Sequence, residues 1–482
     1  MQDRQIASND EGLEGERAWR VLIVDLVGLR LGADGAPDHS EVRAHVEARG
    51  GAFHEAAFEG QALEKGRIHF FYQPHLGTEA DILKAAGDGR YDAVIAAATV
   101  IPRDAVFPLA GVRIGAGTGN MGSVSWGGGN GEGGGAVLMN TPGVNSRATA
   151  QMVLKAVLKV LPELPVEELH RRVVAGDFDT GRDLKDYPAA KLEGRRFAVL
   201  GYGNIGREVA RLARAFGMSV TVHARPPHRP WIEAEGFFYA ETPEAAAAGA
   251  DVLSVHVGLG RQDTGTGRYA NAGIVGETVL SALRPGAVLV NYDRGEVVDT
   301  QALDRALASG RLRHAAIDAD LFKDAASGAL SGPLTPYIPL AERYLGRLEL
   351  LPHAAADTDH PSRVAGACQA IDQIEELIRH RRAFNVKGDL PQGYTDAGAT
   401  TPRGIGRLTA SRLAASLADK RFTELHRLTK EIAGILDTLS SASHHGREQA
   451  AAAQEVAYLA RSLLRHRTLV EELGLDGPAQ DG

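Results

Sequence analysis

The chain has a single cysteine, Cys368, among its 482 residues. One thiol excludes an intrachain disulfide and any cluster of thiolate metal ligands drawn from one chain, and it fits a reducing cytoplasm. Long apolar runs are missing too. Nothing approaches the ~20 consecutive apolar residues that would span a bilayer, and no apolar signal core opens the chain. Residues 1–17, polar and mixed in charge, read as a disordered leader. Charge of one sign is also lacking: the net −8 is the balance of 53 basic and 61 acidic residues scattered along the chain. An extended basic face of the kind nucleic acid requires is therefore not expected, nor is a membrane-seeking polybasic stretch. Small molecules and other subunits remain as partners.

What is present is a long alternation of strand and helix patterns. From "RVLIVDLVG" (20–28) to "AVLMNTPG" (136–143), short apolar runs alternate with segments such as "SEVRAHVEARG", which predicts a mostly parallel sheet and a first α/β domain over 18–145. One segment interrupts it. "WGGGNGEGGG" (126–135) holds seven glycines, which disfavour regular structure and predict a flexible loop, most simply a tolerated surface insertion. Backbone amides in such a run can also form an anion-binding nest. The helix "SRATAQMVLKAVLKVL", with Asn145 and Ser146 as candidate caps, then crosses into a second domain at 146–353. Six apolar runs in that domain, from "RRFAVLGYG" to "LELLPHA", match the strand number of a complete doubly wound dinucleotide fold.

Residues 354–385 are expected to return to the first domain, and 386–404, rich in Gly, Pro and Thr, to link it to a tail at 405–482. In the tail, apolar residues at Phe422, Leu425, Leu428, Ile432, Ile435, Leu436 and Leu439, then at Val456, Leu459, Leu463, Val470 and Leu473, predict two amphipathic helices. His444 and His445 fall between them without acidic or cysteine company, so no metal site is expected.

"FAVLGYGNIGREVARLARAFGMSVTVHARPPHR" carries Gly201, Gly203 and Gly206 in G-x-G-x-x-G spacing, with Asn204 and Ile205 inside the turn. The motif follows a strand and opens a helix, the context that gives it meaning: a tight turn, close approach of a pyrophosphate, and helix packed on strand. The end of the second strand normally offers a carboxylate to the adenosine ribose. Here it offers Arg225, with Arg229 close behind, so NADP is favoured over NAD. His256, ending a later strand, is a further candidate cofactor contact.

In "VLVNYDRGEVVD" (288–299), Arg294 stands at the C-terminal lip of an apolar strand, where open α/β sheets bind ligands. It is either an anion clamp or one half of a surface salt bridge with Asp293, Glu296 or Asp299.

With the glycine loop, "NYDRGEVVD" and "LLPHAAADT" in this order, residues 20–385 resemble the D-2-hydroxyacid dehydrogenase family, which includes phosphoglycerate dehydrogenases and hydroxypyruvate or glyoxylate reductases. Further matches are "NTPGVNSRATAQ", "SALRPGAVLVNYDRG" and "DRALASGRLRHAAIDADLF". The resemblance implies two Rossmann-like or flavodoxin-like α/β domains with a cleft between them, here with a C-terminal helical extension. It implies NADP or NAD as cofactor, a 2-hydroxy or 2-oxo acid as substrate, and a homodimer, which the tail can enlarge. Arg294 would bind the substrate carboxylate and polarise its carbonyl, His353 would exchange the proton, and Asp318 would face the nicotinamide. Thr99 and the loop Gly117, Thr118 and Gly119 would complete the substrate site.

The sequence departs from the family in two places. Lys323 stands where a glutamate usually supports the histidine, leaving Asp320 or Asp324, or less directly Glu342 or Glu349, to replace it. Gln151 stands where another glutamate is usual. Two functions stay open: an active NAD(P)-dependent reductase or dehydrogenase, and a dinucleotide-sensing or scaffolding protein with a degenerate active site. A sensor has no need of both Arg294 and His353, which favours the enzyme.

Overall fold

The computed structural model describes residues 17–400, apart from 61, 188, 325–326, 354 and 357, together with 420–445 and 449–472. Residues 1–16 of the expected leader lie outside the described residues, as do 401–419 and 473–482.

The first sheet has the order β2-β3-β1-β4-β5-β6, built from β1 (Trp19–Ile23), β2 (Ala52–His54), β3 (Ile68–Tyr72), β4 (Ala93–Ala96), β5 (Ala110–Arg113) and β6 (Val137–Asn140). Every pairing is parallel. Helices cover both faces, which is why β3, β4 and β6 are buried at every residue and are apolar apart from His69 and Asn140. The chain returns to this layer in the 21-residue helix His360–His380. Its Ala367, Ile371, Ile374 and Leu377 share one core with Val21, Ile23 and Val112.

The second sheet, also all parallel, uses β7 (Arg196–Leu200), β8 (Ser219–His223), β9 (Phe238–Ala240), β10 (Val252–Val255), β11 (Ala287–Asn291) and β12 (Leu312–Ala319). After a two-stranded hairpin, β13 (Phe322–Lys323) with β14 (Leu330–Ser331), β15 (Leu348–Pro352) pairs with β12, giving the order β15-β12-β11-β10-β7-β8-β9. Seven strands stand where six were expected. The extra one, β9, has three residues of which only Ala240 is buried, too short to show a period. The crossover helix runs Ser146–Leu158, and Asn145 holds its N-cap position without a side-chain cap bond.

The glycine-rich stretch corrects the expectation of a loose insertion. Trp126 is buried, its indole N–H donating to the Met121 carbonyl at 2.8 Å and its ring filling the space a Cβ on Gly111 would take. Gly127, Gly128, Gly131 and Gly133 have positive φ, and a Cβ on Gly127 would lie 1.6 Å from the Glu132 carbonyl oxygen. These glycines are there because the chain folds onto itself.

By contact the molecule divides into two units, one comprising residues 1–226 and 237–403 and the other 227–236 and 404–482. Within the second, the helices Lys420–His445 and Gln449–Glu472 form an antiparallel pair closed by Leu425, Leu428 and Leu469. Arg465 forks onto both Glu424 oxygens at 3.0 Å. His444 and His445 end the first of these helices and do not lie between the two.

Candidate active site

The dinucleotide loop leaves β7 with Gly201 at φ 96°, where a Cβ would come within 2.0 Å of the His256 carbonyl oxygen. A Cβ on Gly206 would lie 2.1 Å from the Gly201 oxygen. At Gly203, the N-cap of the helix Asn204–Ala215, a Cβ would meet nothing within 4 Å, and no side chain caps the first turn. Two glycines are thus demanded by packing and one borders open space before a helix N-terminus. That is the cradle a pyrophosphate fits.

Two candidate cofactor contacts turn elsewhere. The His256 imidazole is buried, hydrogen-bonded to the Ser254 hydroxyl at 2.7 Å, and burial holds its pKa down to about 3. It is a neutral core group, and its backbone is what touches the loop. Arg229 pairs with Glu233 one helical turn on, at 2.9 Å. Arg225 is exposed just past the end of β8, at the strand end where the ribose carboxylate is usually found.

Arg294 opens a short turn after β11, its carbonyl held by the Asn291 amide at 2.8 Å. A Cβ on Gly117 would lie 3.4 Å from its Nη2, so the 117–119 loop passes directly against the guanidinium. The nearest described carboxylate is Asp320, at 3.7 Å. Neither partner is well buried, so this pair is weak and the guanidinium remains open to a better anion. Asp293, Glu296 and Asp299 do not supply that ion pair; Asp299 instead caps the helix Thr300–Ala308.

His353 follows β15, and its Nδ1 lies 2.7 Å from Asp318 Oδ1. Asp318, on the neighbouring β12, is 1% exposed and takes the Ala356 amide on its other oxygen at 3.3 Å. This corrects three expectations. Asp318 faces the histidine, Asp320 faces Arg294, and Asp324 caps the β13–β14 turn by accepting from the Ser327 amide and hydroxyl. Lys323 is exposed on β13, Glu349 pairs with Lys159, and Glu342 and Gln151 are exposed. Burial works to lower the His353 pKa, but the Asp318 hydrogen bond and charge outweigh it, aided by Asp320 and opposed by Arg294, and the net shift is upward.

Sequence reasoning missed Asp25. From the turn after β1 its buried carboxylate gathers the amides of Ala97, Ala98 and Thr99, and Asn120 ties the Thr99 carbonyl at 2.8 Å to the 117–119 loop. An acid just beyond an apolar strand was the available signal. A hollow of about 900 Å³ lies along the crossover helix, lined by Met152, Leu158, Leu212, Phe216 and Tyr292 among others, and contains neither Arg294 nor His353. Among the described residues no three His, Cys, Asp or Glu side chains gather as metal ligands, and no helix is long and apolar enough to cross a membrane.

Comparison with known proteins places the chain in a family. A family model described as D-isomer specific 2-hydroxyacid dehydrogenase, NAD binding domain, matches residues 163–355. A glyoxylate reductase of Aeropyrum pernix is 32% identical over 250 residues, 50% of this chain and 66% of that protein. The glyoxylate/hydroxypyruvate reductase B of Pectobacterium carotovorum is 30% identical over 243 residues, 50% of this chain and 68% of that protein. The chain thus spans about two thirds of the length of these relatives. The structure of a D-2-hydroxyisocaproate dehydrogenase superposes with a TM-score of 0.51 at 17% identity, covering 75% of this chain and 97% of the other, a likeness of fold. On the glycine cradle and these matches together, the chain belongs to the D-isomer specific 2-hydroxyacid dehydrogenase family.

Proposed function

We propose that the protein is an NAD(P)-dependent oxidoreductase that interconverts a 2-oxo acid and the corresponding 2-hydroxy acid. The observation that carries this reading is the meeting of three features in one unit: His353 paired with the buried Asp318, Arg294 against the Gly117 loop, and the glycine cradle. A bound nicotinamide dinucleotide supplies or accepts the hydride. Arg294, with the backbone of Gly117, Thr118 and Gly119 and the neighbouring Thr99, holds the substrate carboxylate and steadies the negative charge that grows on the carbonyl oxygen. His353, its Nδ1 engaged by Asp318, uses Nε2 to give that oxygen a proton in reduction and to take it back in oxidation. Asp318 keeps the ring oriented and protonated, the service the missing glutamate would render. Asp320 sits on Arg294 until substrate displaces it.

Arg225 at the end of β8 supports a preference for NADP over NAD. A homodimer is supported by the apolar hollow along the crossover helix, whose rim leaves Leu158 43% and Phe216 44% exposed.

The test is oxidation of NADPH and NADH by the purified chain with glyoxylate, hydroxypyruvate and phosphohydroxypyruvate, beside His353→Ala and Arg294→Ala. Turnover lost in both variants is expected. Tight dinucleotide binding without turnover of any 2-oxo acid would overturn the reading in favour of a sensor.

A further inference from the structure

The glycine-rich stretch 126–135 has no part in the chemistry above, yet it is built into the wall of the site. The Thr118 hydroxyl donates to the Gly129 carbonyl. A Cβ on Gly129 would stand 2.8 Å from the Thr118 oxygen and 3.2 Å from the Gly119 Cα, both backbone atoms. The loop is held from behind as well. The Asp389 amide donates to the Gly131 carbonyl at 2.8 Å, and a Cβ on Gly131 would lie 2.0 Å from the Lys387 oxygen. Within the loop, Gly131 bonds back to Gly128 at 2.9 Å and Gly128 to Ser123 at 2.8 Å. A continuous run of backbone contacts therefore leads from residues 387–389 through Gly131 and Gly129 to Thr118 and Gly119, one residue from the glycine that faces Arg294.

We propose that this loop is a positioning element for substrate binding: Gly129, backed by the Gly131 contact with 387–389, fixes the 117–119 backbone at the distance from Arg294 that a carboxylate requires. The inference rests on the substrate role given above to residues 117–119. Its physical basis is that Gly129 allows backbone to meet backbone where any side chain would push the two loops apart. A shift of about 1 Å in a substrate-positioning group is enough to cost on the order of 100-fold. The loop acts through Thr118 and Gly119 and does not itself touch the reacting atoms.

The comparison is Gly129→Ala against Gly135→Ala in the full chain. A Cβ on Gly135, in the same stretch, would meet nothing within 4 Å. Two readouts are taken: KM for the 2-oxo acid with the dissociation constant of the reduced dinucleotide beside it, and amide hydrogen exchange of residues 117–121. Gly129→Ala is expected to raise KM by about 10- to 100-fold, leave dinucleotide affinity unchanged and speed exchange in 117–121, while Gly135→Ala does none of these. Equal behaviour of the two variants overturns the proposal. If Gly129→Ala does not fold, Thr118→Val removes the hydroxyl tether at nearly constant volume. It should raise KM and speed exchange in 127–131 as well as in 117–121, and unchanged exchange in 127–131 overturns the coupling. Exchange needs no turnover. A wild-type chain that reduces no 2-oxo acid would sink the dehydrogenase reading, and with it the substrate role of the loop, whereas turnover with unaltered KM in both variants would sink the loop proposal alone.

Discussion

Asp318 Oδ1 lies 2.7 Å from His353 Nδ1, joining the ends of two adjacent parallel strands through a carboxylate that is almost wholly buried. The pairing raises the His353 pKa against the effect of burial. A proton donor needs to be charged, so reduction should proceed below the raised pKa and fall as pH rises through it. In Asp318→Asn the lowering influences, burial and Arg294, are opposed only by the charge of Asp320, and the fall should move to lower pH. At neutral pH we expect kcat for reduction to drop about 100-fold, with dinucleotide affinity unchanged. A pH–rate profile that does not move would show that Asp318 does not set the histidine's charge. By linkage, the pair contributes stability below the ordinary imidazole pKa that is lost as pH rises through the raised value.

Arg294→Lys tests shape against charge. A lysine keeps the positive charge beside the Gly117 loop but loses the planar fork onto a carboxylate. The expected cost in kcat/KM for the 2-oxo acid is about 100- to 1,000-fold, with the coenzyme still bound. Steady-state kinetics of the variant, read beside a fluorescence titration of the dinucleotide, decide the matter; near wild-type kcat/KM would rule out bidentate recognition.

The glycines of the dinucleotide loop should separate folding from binding. Gly201→Ala places a Cβ 2.0 Å from a backbone oxygen at φ 96°, so it is expected to lower stability by several kcal/mol, of which the backbone strain alone is about 1–3 kcal/mol. Gly203→Ala meets open space at φ −82°. It should cost the free protein no more than about 1 kcal/mol of stability, the loss of a favourable N-cap residue, while weakening the dinucleotide. Equal dinucleotide affinity in Gly203→Ala and wild type would argue that the phosphates lie elsewhere.

Arg225→Glu puts a carboxylate where the ribose acid is normally found. NADPH affinity should fall about tenfold relative to NADH. A ratio that stays constant across competition titrations would dismiss Arg225 as a reader of the 2′-phosphate.

Much of this site was legible because its signals are local. The glycine loop and the strand that delivers Arg294 each announce themselves within a dozen residues. The partner of His353 did not. Asp318 is 35 residues away, and it meets His353 because β12 and β15 pair in parallel with Ala319 opposite Pro352, a register no spacing encodes. The glycine-rich stretch misled for the opposite reason. Composition suggests looseness, whereas the glycines answer to backbone atoms at Thr118, Glu132 and Lys387, far apart in sequence or visible only after folding. Asp25 belongs to the same class, since its three amide partners lie more than 70 residues on.

Trp126 gives the molecule an optical handle of its own. The chain has three tryptophans, and this one is sealed between Gly111 and Phe107 with its indole nitrogen on Met121, three residues from Thr118. Its emission therefore originates in a dry environment at the root of the proposed carboxylate loop. Trp19 and Trp231 are buried too, so with both replaced by Phe, a blue-shifted, poorly quenched signal, and any change in it on adding an oxo acid, would register the state of that loop without a label.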